Sequence, residues 1–304
     1  MYFGLRPTLR AMSSFRPIAG RFVRRYALPL RESVATLLAF PVFKAAWMVA
    51  DPHASRLGRS SARIVLRTVA KRRLRYTLTR NGRSVRIDVP LTSEGIVGFS
   101  EVFFSGEYGS VVAAYDTVVD LGANLGLATT YLWLETGAGR IVAVEANPNL
   151  IADLTSRLAG IPGAAVVHAA VVGDSEVSEI ALDIGVDSRQ SAIVGGRAAS
   201  ADTVIVPTVT LSELVQQYGV HASACLKMDI EGAEHDVIGL DPGALTAFDA
   251  IVAEVHGLPD RRDTFAERLG ECGFSVAAQR TSEASTVIVA TRNGRHAGVA
   301  TPPR

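Results

Sequence analysis

The sequence is poor in the features that mark secreted, disulfide-rich and membrane-spanning proteins. It has only two cysteines, Cys225 and Cys272, and their wide separation predicts a reduced, disulfide-free protein in the cytoplasm. There is no run of about 18 uncharged apolar residues, which argues against a membrane-spanning helix. What is left is a chain of 304 residues with 48% hydrophobic and 20% charged side chains, enough for one large α/β domain and an appendage.

The net charge of +1 conceals a strong asymmetry along the chain. Residues 1–86 hold 19 basic and two acidic side chains, a charge of +17, and the remainder carries a charge of −16. This asymmetry predicts at least two regions with different surroundings. We expect residues 1–75 to form a basic, partly helical extension, residues 76–292 the main domain, and residues 293–304 a flexible tail.

The basic extension includes an apolar stretch, VATLLAFPVFKAAWMVA (residues 34–50), which Pro41 and Lys44 interrupt. One hypothesis is that it forms helices whose apolar faces pack into a core while the arginines stay solvated. The alternative is a peripheral membrane element that is attracted to anionic lipid, which would make the cytoplasmic protein membrane-associated. Nucleic acid is not an expected partner, because aromatic-interleaved and zinc-finger patterns are missing.

Strand-like and helical stretches alternate along the main domain. The predicted strands, in chain order, are TVVDLG, IVAVEA, AAVVHAAVV, ACLKMDI and AIVAEVH. Helices are expected over Leu125–Glu135 and Asn149–Leu158. This alternation predicts βαβ units and a parallel sheet with both faces covered.

Two hairpins flank this pattern. RYTLTRNGRSVRIDV predicts a hairpin that turns at Asn81–Gly82. A helix is expected around Asp263–Glu271, followed by the strands FSVAAQ and STVIVAT with a short polar loop between them. These two strands must pair antiparallel, because parallel neighbours need a long crossover. The expected fold is therefore α/β, with a mostly parallel sheet that ends in an antiparallel hairpin.

Ligands of open parallel sheets bind beyond the carboxyl ends of the strands, so the residues there are the candidates for function. The first predicted strand ends in DLGANLG, residues 120–126, a glycine-rich turn in which Asn124 is a plausible helix cap. The dinucleotide motif G-x-G-x-x-G is not matched, because Asn124 and Leu127 stand where its second and third glycines belong. The turn is therefore poorly suited to a pyrophosphate, and Asp120 would repel one.

The second predicted strand ends at Glu145, an acid placed to accept hydrogen bonds from both hydroxyls of a ribose. Acids at two strand ends, together with the absence of a phosphate-binding motif, predict a ligand that carries a nucleoside but no phosphate. S-adenosylmethionine is such a ligand. A nicotinamide oxidoreductase on the same architecture is the second hypothesis, and the missing glycines weigh against it. A third is a non-catalytic binding module.

Several motifs together resemble the FkbM family of S-adenosylmethionine-dependent methyltransferases. In chain order they are VVDLGANLGLATTYL, AVEANPN, HAAVVGD, VTLSEL, LKMDIEGAEHDVI and AEVH. The resemblance as a whole extends from about Phe103 to Thr291 and includes the terminal hairpin. The specific part is K-x-D-x-E-G-x-E, whereas the glycine turn is common to class I methyltransferases. The resemblance implies their Rossmann-like fold of seven strands with the C-terminal hairpin, and transfer of a methyl group, usually to oxygen.

The resemblance also implies which residues contact S-adenosylmethionine. Its methionine part would be surrounded by the first turn and its ribose held at the second strand, while adenine would lie beside the segment after the third. The implied cofactor residues are Asp120, Gly122, Ala123, Asn124 and Gly126 for the first turn, Glu145 and Ala146 for the ribose, and His168 and Ala169 for adenine.

The charged stretch KMDIEGAE follows the fourth predicted strand, where the methyl group should meet its acceptor. An alcohol is a poor nucleophile until it loses its proton, so a base is expected here. The candidates are Asp229, Glu231, Glu254 and His256, at the ends of neighbouring strands. His256 is preferred as the base for its near-neutral unperturbed pKa, and Asp229 for orienting the acceptor or the sulfonium. Lys227 is expected to pair with Glu231, Glu254 or another carboxylate, since an unpaired buried ammonium is costly.

The same four side chains could instead bind a divalent cation, but a network of ion pairs accounts for them equally well, and no metal is predicted. The leading hypothesis is therefore an S-adenosylmethionine-dependent O-methyltransferase. Its acceptor would be a hydroxyl of a small molecule, a sugar or a glycolipid, and the preference for a sugar comes from the resemblance alone.

Overall fold

A computed structural model describes residues 15–50, 55–69, 71–104, 108–109, 113–184, 192–193, 203–221, 223–256, 259–281 and 285–294. It divides the chain into two compact units, which we call the N-terminal unit (residues 4–107) and the C-terminal unit (residues 108–304). In the described ranges, no helix combines the length and apolar character needed to cross a membrane.

The N-terminal unit combines helices with one antiparallel hairpin. Its elements are α1 (Phe15–Arg25), α2 (Leu30–Leu38), α3 (Phe40–Ala50), α4 (Arg56–Val69), β1 (Arg73–Arg80), β2 (Arg83–Pro90) and α5 (Ser93–Phe103). The hairpin turns at Asn81 and Gly82, as the sequence predicts, and both residues have positive φ, 52° and 72°. The predicted division at residue 75 stays a prediction; in the structure the hairpin lies within the N-terminal unit.

An aromatic cluster forms the core of the N-terminal unit. The ring of Tyr76 stacks on that of Phe99 with centroids 5.2 Å apart, and Phe22 meets both rings edge-on. Phe43 and Ala46, which belong to the apolar stretch 34–50, are fully buried. Their burial supports the hypothesis that this stretch packs into a core.

The C-terminal unit is built around a seven-stranded sheet. Its elements are β3 (Thr117–Leu121), α6 (Leu127–Thr136), β4 (Arg140–Glu145), α7 (Pro148–Leu158), β5 (Ala164–His168), β6 (Ala170–Val172), β7 (Glu179–Asp183), β8 (Ala192–Ile193), β9 (Thr203–Thr210), α8 (Leu211–Gln217), β10 (Ala224–Met228), α9 (Glu234–Leu240), a 3-10 turn (Pro242–Ala247), β11 (Ala250–His256), α10 (Pro259–Glu271), β12 (Phe274–Thr281) and β13 (Ser285–Arg292).

The order of the strands in this sheet is β12-β13-β11-β10-β3-β4-β5. Its central strands are parallel, and β13 runs antiparallel to both of its neighbours. This confirms the predicted α/β fold, including the C-terminal hairpin. The strand order reverses between β3 and β10, which in an open parallel sheet marks the crevice where ligands bind.

The sequence interpretation was wrong about two details of this unit. AAVVHAAVV, predicted as one strand, forms two, because β5 joins the large sheet and β6 pairs with β9 in a second sheet of order β6-β9-β7-β8. Asn124 does not cap α6, which starts after Gly126, a residue in the left-handed conformation without a side-chain cap. The Asn124 side chain instead accepts a hydrogen bond from the N–H of Leu125 at 2.7 Å.

Candidate active site

Lys227 is the buried cation at the centre of the strand ends. It lies on β10 directly beside Asp120 on β3, with 2% of its side chain exposed, and its Nζ is 3.0 Å from Asp120 Oδ1 and 3.7 Å from Asp229 Oδ2. Its Nζ also donates to the carbonyls of Leu121 and Gly122, at 3.3 and 2.7 Å. Burial would lower the pKa of Lys227, but the charges of Asp120, Asp229 and Glu145 and the hydrogen bond to Asp120 together raise that pKa, so the ammonium stays charged.

Asp120 is enclosed rather than open to a ligand. It is fully buried, and its Oδ2 accepts a hydrogen bond of 2.5 Å from the hydroxyl of Thr129 on α6. One carboxylate oxygen therefore faces Lys227 and the other faces Thr129. These two contacts hold the carboxylate in place, and the carboxylate in turn fixes the start of the β3–α6 turn.

Gly122 brings the β3–α6 turn against the turn that follows β10. Its φ is 77°, and a Cβ at this position would lie 1.8 Å from the carbonyl oxygen of Asp229. The N–H of Asp229 also donates to the carbonyl of Leu121 at 3.0 Å. Glycine is therefore required here by the contact between two turns of the protein, not only by the approach of a ligand.

Glu145 closes β4 and is held by two backbone amides. Its Oε2 accepts a hydrogen bond from the N–H of Asn124 at 2.7 Å, and its Oε1 accepts one from the N–H of Asn147 at 2.8 Å. Burial raises the pKa of Glu145, and these two hydrogen bonds oppose the increase. Each oxygen keeps a lone pair for a further donor, so the carboxylate fits the two hydroxyls of a ribose.

The residues predicted to lie beside adenine adjoin Glu145. His168 stands opposite Glu145 in the register of β4 and β5, is exposed, and its Nε2 lies 3.1 Å from the carbonyl of Ala146. The N–H of Ala169 donates to the carbonyl of Glu145 at 3.2 Å. The structure therefore brings the predicted ribose and adenine residues together at one edge of the sheet.

The acidic candidates lie at the ends of β10 and β11. Asp229 has 27% of its side chain exposed and Glu231 has 33%, whereas Glu254 lies on β11 and accepts a hydrogen bond of 2.6 Å from the hydroxyl of Ser285. Burial and the negative charge of Asp229 raise the pKa of Glu231 to about 8 and that of Glu254 to about 7. At neutral pH this cluster therefore binds protons that isolated carboxyls would release.

His256 is fixed by a buried carboxylate. Its Nδ1 lies 2.9 Å from Oε1 of Glu234, which is fully buried and also accepts the N–H groups of Ile230 and Gly232. Desolvation lowers the pKa of His256, but the hydrogen bond to Glu234 and the charges of the nearby acids raise it to about 10. The sequence interpretation preferred His256 as the base because its unperturbed pKa is near neutral. In the structure that pKa is higher, so the ring is protonated at neutral pH.

Three side chains of this cluster could approach one cation. Asp229, Glu231 and His256 each offer a ligand atom, and these atoms lie within 4.8 Å of one another. The Nε2 of His256 is 3.6 Å from Oε2 of Glu231, close enough for the positive charge of the ring to oppose the increase in the pKa of Glu231. The sequence interpretation weighed such a charged network against a metal ion, and the absence of a metal stays a prediction.

The sequence interpretation missed three supporting residues. Thr129, Ser285 and Glu234 orient Asp120, Glu254 and His256 respectively. Only Glu234 had a signal in the sequence, as the last acid of K-x-D-x-E-G-x-E; for Thr129 and Ser285 nothing in the local sequence indicates a role.

The sheet order, the terminal hairpin and the carboxylates at the strand ends define a Rossmann-like methyltransferase. Residues 120–276, more than half of the chain, match the family described as the methyltransferase FkbM domain, and the chain belongs to this family. Membership confirms the predictions of methyl transfer and of S-adenosylmethionine as the cofactor. It favours methyl transfer over the alternative of nicotinamide-dependent oxidation.

Other similarities are more distant. The chain is 23% identical over 178 residues to the hexuronic acid methyltransferase AglP of Haloferax volcanii, covering 58% of this chain and 71% of AglP. Fibrillarin of Aeropyrum pernix, solved with bound S-adenosyl-L-methionine, is 11% identical with a TM-score of 0.42, covering 71% of this chain and 81% of fibrillarin. Precorrin-6y C5,15-methyltransferase of Geobacter metallireducens is 14% identical with a TM-score of 0.38, covering 62% of this chain and 86% of that enzyme.

Proposed function

We propose that the protein is an S-adenosylmethionine-dependent O-methyltransferase that acts on a hydroxyl of a sugar, as a free small molecule or as part of a glycolipid. The observation that carries this proposal is the cluster of carboxylates and one histidine at the ends of β10 and β11. It adjoins the β3–α6 turn through the contact between Gly122 and Asp229. A proton acceptor would thus lie beside the cofactor.

The cofactor would be held by the edge formed by β3, β4 and β5. Glu145 would accept the ribose hydroxyls, with Ala146 beside it, and His168 and Ala169 would flank adenine. The methionine part would lie along the β3–α6 turn, contacting Ala123, Asn124 and the backbone at Gly122 and Gly126. Asp120 would contribute by holding this turn through Lys227 and Thr129, since it is fully buried.

Bound there, S-adenosylmethionine would supply an electrophilic methyl group; an acceptor oxygen would attack it in line with the carbon–sulfur bond, and S-adenosylhomocysteine would leave. Asp229 would take the proton of that oxygen, because it is partly exposed and lies at the end of β10 beside the cofactor turn. The protonated ring of His256 would donate a hydrogen bond that orients the acceptor, and Glu231 and Glu254 would complete its polar surroundings. General-base help of this kind contributes about 10²–10⁴-fold to a rate.

A sugar acceptor is supported by the similarity to AglP, whose name gives a hexuronic acid as the substrate. A lipid-linked sugar would bring the enzyme to a membrane, and the charge of +17 on residues 1–86 is suited to contact with an anionic surface. Peripheral membrane contact through the basic extension is therefore part of the proposal.

Binding and turnover test this function separately. Isothermal titration should give tighter binding of S-adenosylmethionine than of NAD, and Glu145→Ala should weaken that binding. Incubation with a panel of hexuronic acid glycosides should give products heavier by one methyl group, and Asp229→Ala should lower their formation by about 10²-fold or more. Asp236→Asn, which alters an exposed acid on α9, is the matched control.

Tighter binding of NAD would overturn the cofactor assignment. Normal cofactor binding without turnover on any hydroxyl acceptor would favour a non-catalytic binding module. Unchanged turnover in Asp229→Ala would remove Asp229 from the role of base.

A further inference from the structure

Helix α4 packs into the N-terminal unit by a stripe of small and apolar residues. Ala62 and Leu66 are buried, and a Cβ added at Gly58 would lie 3.1 Å from the sulfur of Met48 on α3. Gly58, Ala62 and Leu66 follow each other at intervals of four, so they lie on one side of a helix with about 3.6 residues per turn. The core-facing side of α4 is therefore already occupied.

The opposite side of α4 exposes two large aliphatic side chains. Leu57 is 79% exposed and Ile64 is 64% exposed, and their spacing of seven residues places them on one line along the helix, about 10 Å apart. Single exposed aliphatic residues are ordinary on protein surfaces, but Leu57 and Ile64 form an aligned pair on the side of α4 that does not face the core.

Arginines flank this aliphatic line. Arg56, Arg63 and Arg67 are exposed and share the helix side next to Leu57 and Ile64, and α4 has no acidic residue. Exposed basic residues continue into the following chain at Lys71, Arg72 and Arg73. We call the surface formed by Leu57, Ile64, Arg56, Arg63 and Arg67 the α4 ridge.

We propose that the α4 ridge binds the surface of a membrane rich in anionic lipid, with Leu57 and Ile64 inserted among the acyl chains and the arginines at the headgroups. An interfacial helix places apolar side chains in the lipid and basic side chains at its phosphates, which is the arrangement found here. A second copy of the chain fits poorly, because two such ridges facing each other would bring arginine against arginine. RNA would attract the arginines but would leave the aliphatic side chains unused.

This inference rests on the membrane contact proposed above and places it on α4 rather than on the apolar stretch 34–50, in which Phe43 and Ala46 are fully buried. Vesicle binding is measured without methyl transfer, so a failure of this inference can be distinguished from a failure of the proposed enzymatic function. Sedimentation of the full chain with phosphatidylcholine vesicles, with or without phosphatidylglycerol, gives the partition coefficient directly. We expect strong binding only to the vesicles that contain phosphatidylglycerol.

Two variants of the α4 ridge separate the contribution of charge to vesicle binding from that of the aliphatic side chains. Arg63→Gln/Arg67→Gln should lower the partition coefficient about 25-fold, since each arginine near an anionic surface contributes about fivefold. Leu57→Ser/Ile64→Ser should lower it at least tenfold at unchanged charge, because aliphatic burial is lost. All four side chains are exposed, so the variants should fold normally, as circular dichroism would show.

The C-terminal unit provides matched controls. Ile205→Ser/Leu240→Ser removes two aliphatic side chains that are 65% and 63% exposed, and Arg268→Gln removes an exposed arginine. Neither should change vesicle binding. Equal binding to both kinds of vesicle, or full binding by Leu57→Ser/Ile64→Ser, would overturn the proposal. So would capture by a short RNA duplex in place of vesicles.

Discussion

Replacement of Lys227 by methionine is the most direct test of the buried charges at the strand ends. Lys227 is 2% exposed and its Nζ lies 3.0 Å from Asp120 Oδ1, so Lys227→Met leaves the carboxylate of a fully buried Asp120 without its cation. Removing one partner of a buried ion pair costs about 3–5 kcal/mol. The carbonyls of Leu121 and Gly122 also each lose one donor, although that of Leu121 keeps the N–H of Asp229. Domains are stable by only about 5–15 kcal/mol, so a large share of the stability should be lost.

The measurement is urea unfolding at neutral pH, followed by the fluorescence of Trp133 in a Trp47→Phe background, because these are the two tryptophans of the chain. Trp133 lies on α6 in the same unit as Lys227 and is buried. The control is the double variant Asp120→Asn/Lys227→Met, in which no buried charge is left unpaired. It should recover most of the loss and end within about 2 kcal/mol of the wild type, because replacing both partners of a buried pair is often near neutral.

A loss below about 1 kcal/mol in Lys227→Met would contradict this reasoning, since it would place the pair in the range of exposed ion pairs. A double variant no more stable than the single one would also contradict it, because the penalty would then not come from the uncompensated charge of Asp120.

Further predictions concern the cofactor, the backbone, pH and metal. Glu145→Gln should weaken binding of S-adenosylmethionine in calorimetry about 10–100-fold, since hydrogen bonds to a charged group are lost, and an unchanged affinity would exclude the ribose role. Gly122→Ala should lower the free energy of unfolding by more than about 2 kcal/mol, because its Cβ would meet the carbonyl of Asp229 at 1.8 Å; wild-type stability would show that the two turns are not in contact. His256 has its pKa raised from 6.5 to about 10 by folding, so its contribution to stability is complete below pH 6.5 and is lost as pH rises to 10; His256→Asn should flatten that part of the curve of unfolding free energy against pH. Methyl transfer should survive EDTA, and activity restored only by added Mg²⁺ would reveal a metal site.

Much of the fold follows from local sequence, because β-branched runs and turn residues act over short distances. Asn81–Gly82 fixes the position of the first hairpin, and the short loop before Ser285 requires an antiparallel pair. The division of AAVVHAAVV into two strands had no such signal, since His168 and Ala169, which separate the two strands, are not turn residues. What separates β5 from β6 is the pairing of each with a different strand, and strand pairing is a property of the whole chain.

The sequence predicted which residues belong to the candidate site, but not which of them pair with each other. Parallel strands end at one edge of a sheet, which placed Asp229 and His256 together from sequence alone. The partner of Lys227 depends on which strand adjoins β10, and the register puts Asp120 opposite it. The protonation of His256 likewise depends on Glu234, and the tight turn after Asp229 brings Glu234 close to the imidazole ring.

The hydrogen bond from Ser285 to Glu254 has a consequence for how this protein can change over evolution. Ser285 begins β13, the antiparallel strand whose residues alternate between the two faces of the sheet. Deleting or inserting one residue inside β13 would turn this hydroxyl to the opposite face of the sheet. Glu254 would then lose its hydrogen bond while the negative charge of Asp229 stayed nearby. The final hairpin can therefore accept substitutions more readily than insertions or deletions, because the register of the last strand positions a hydroxyl at the candidate active site.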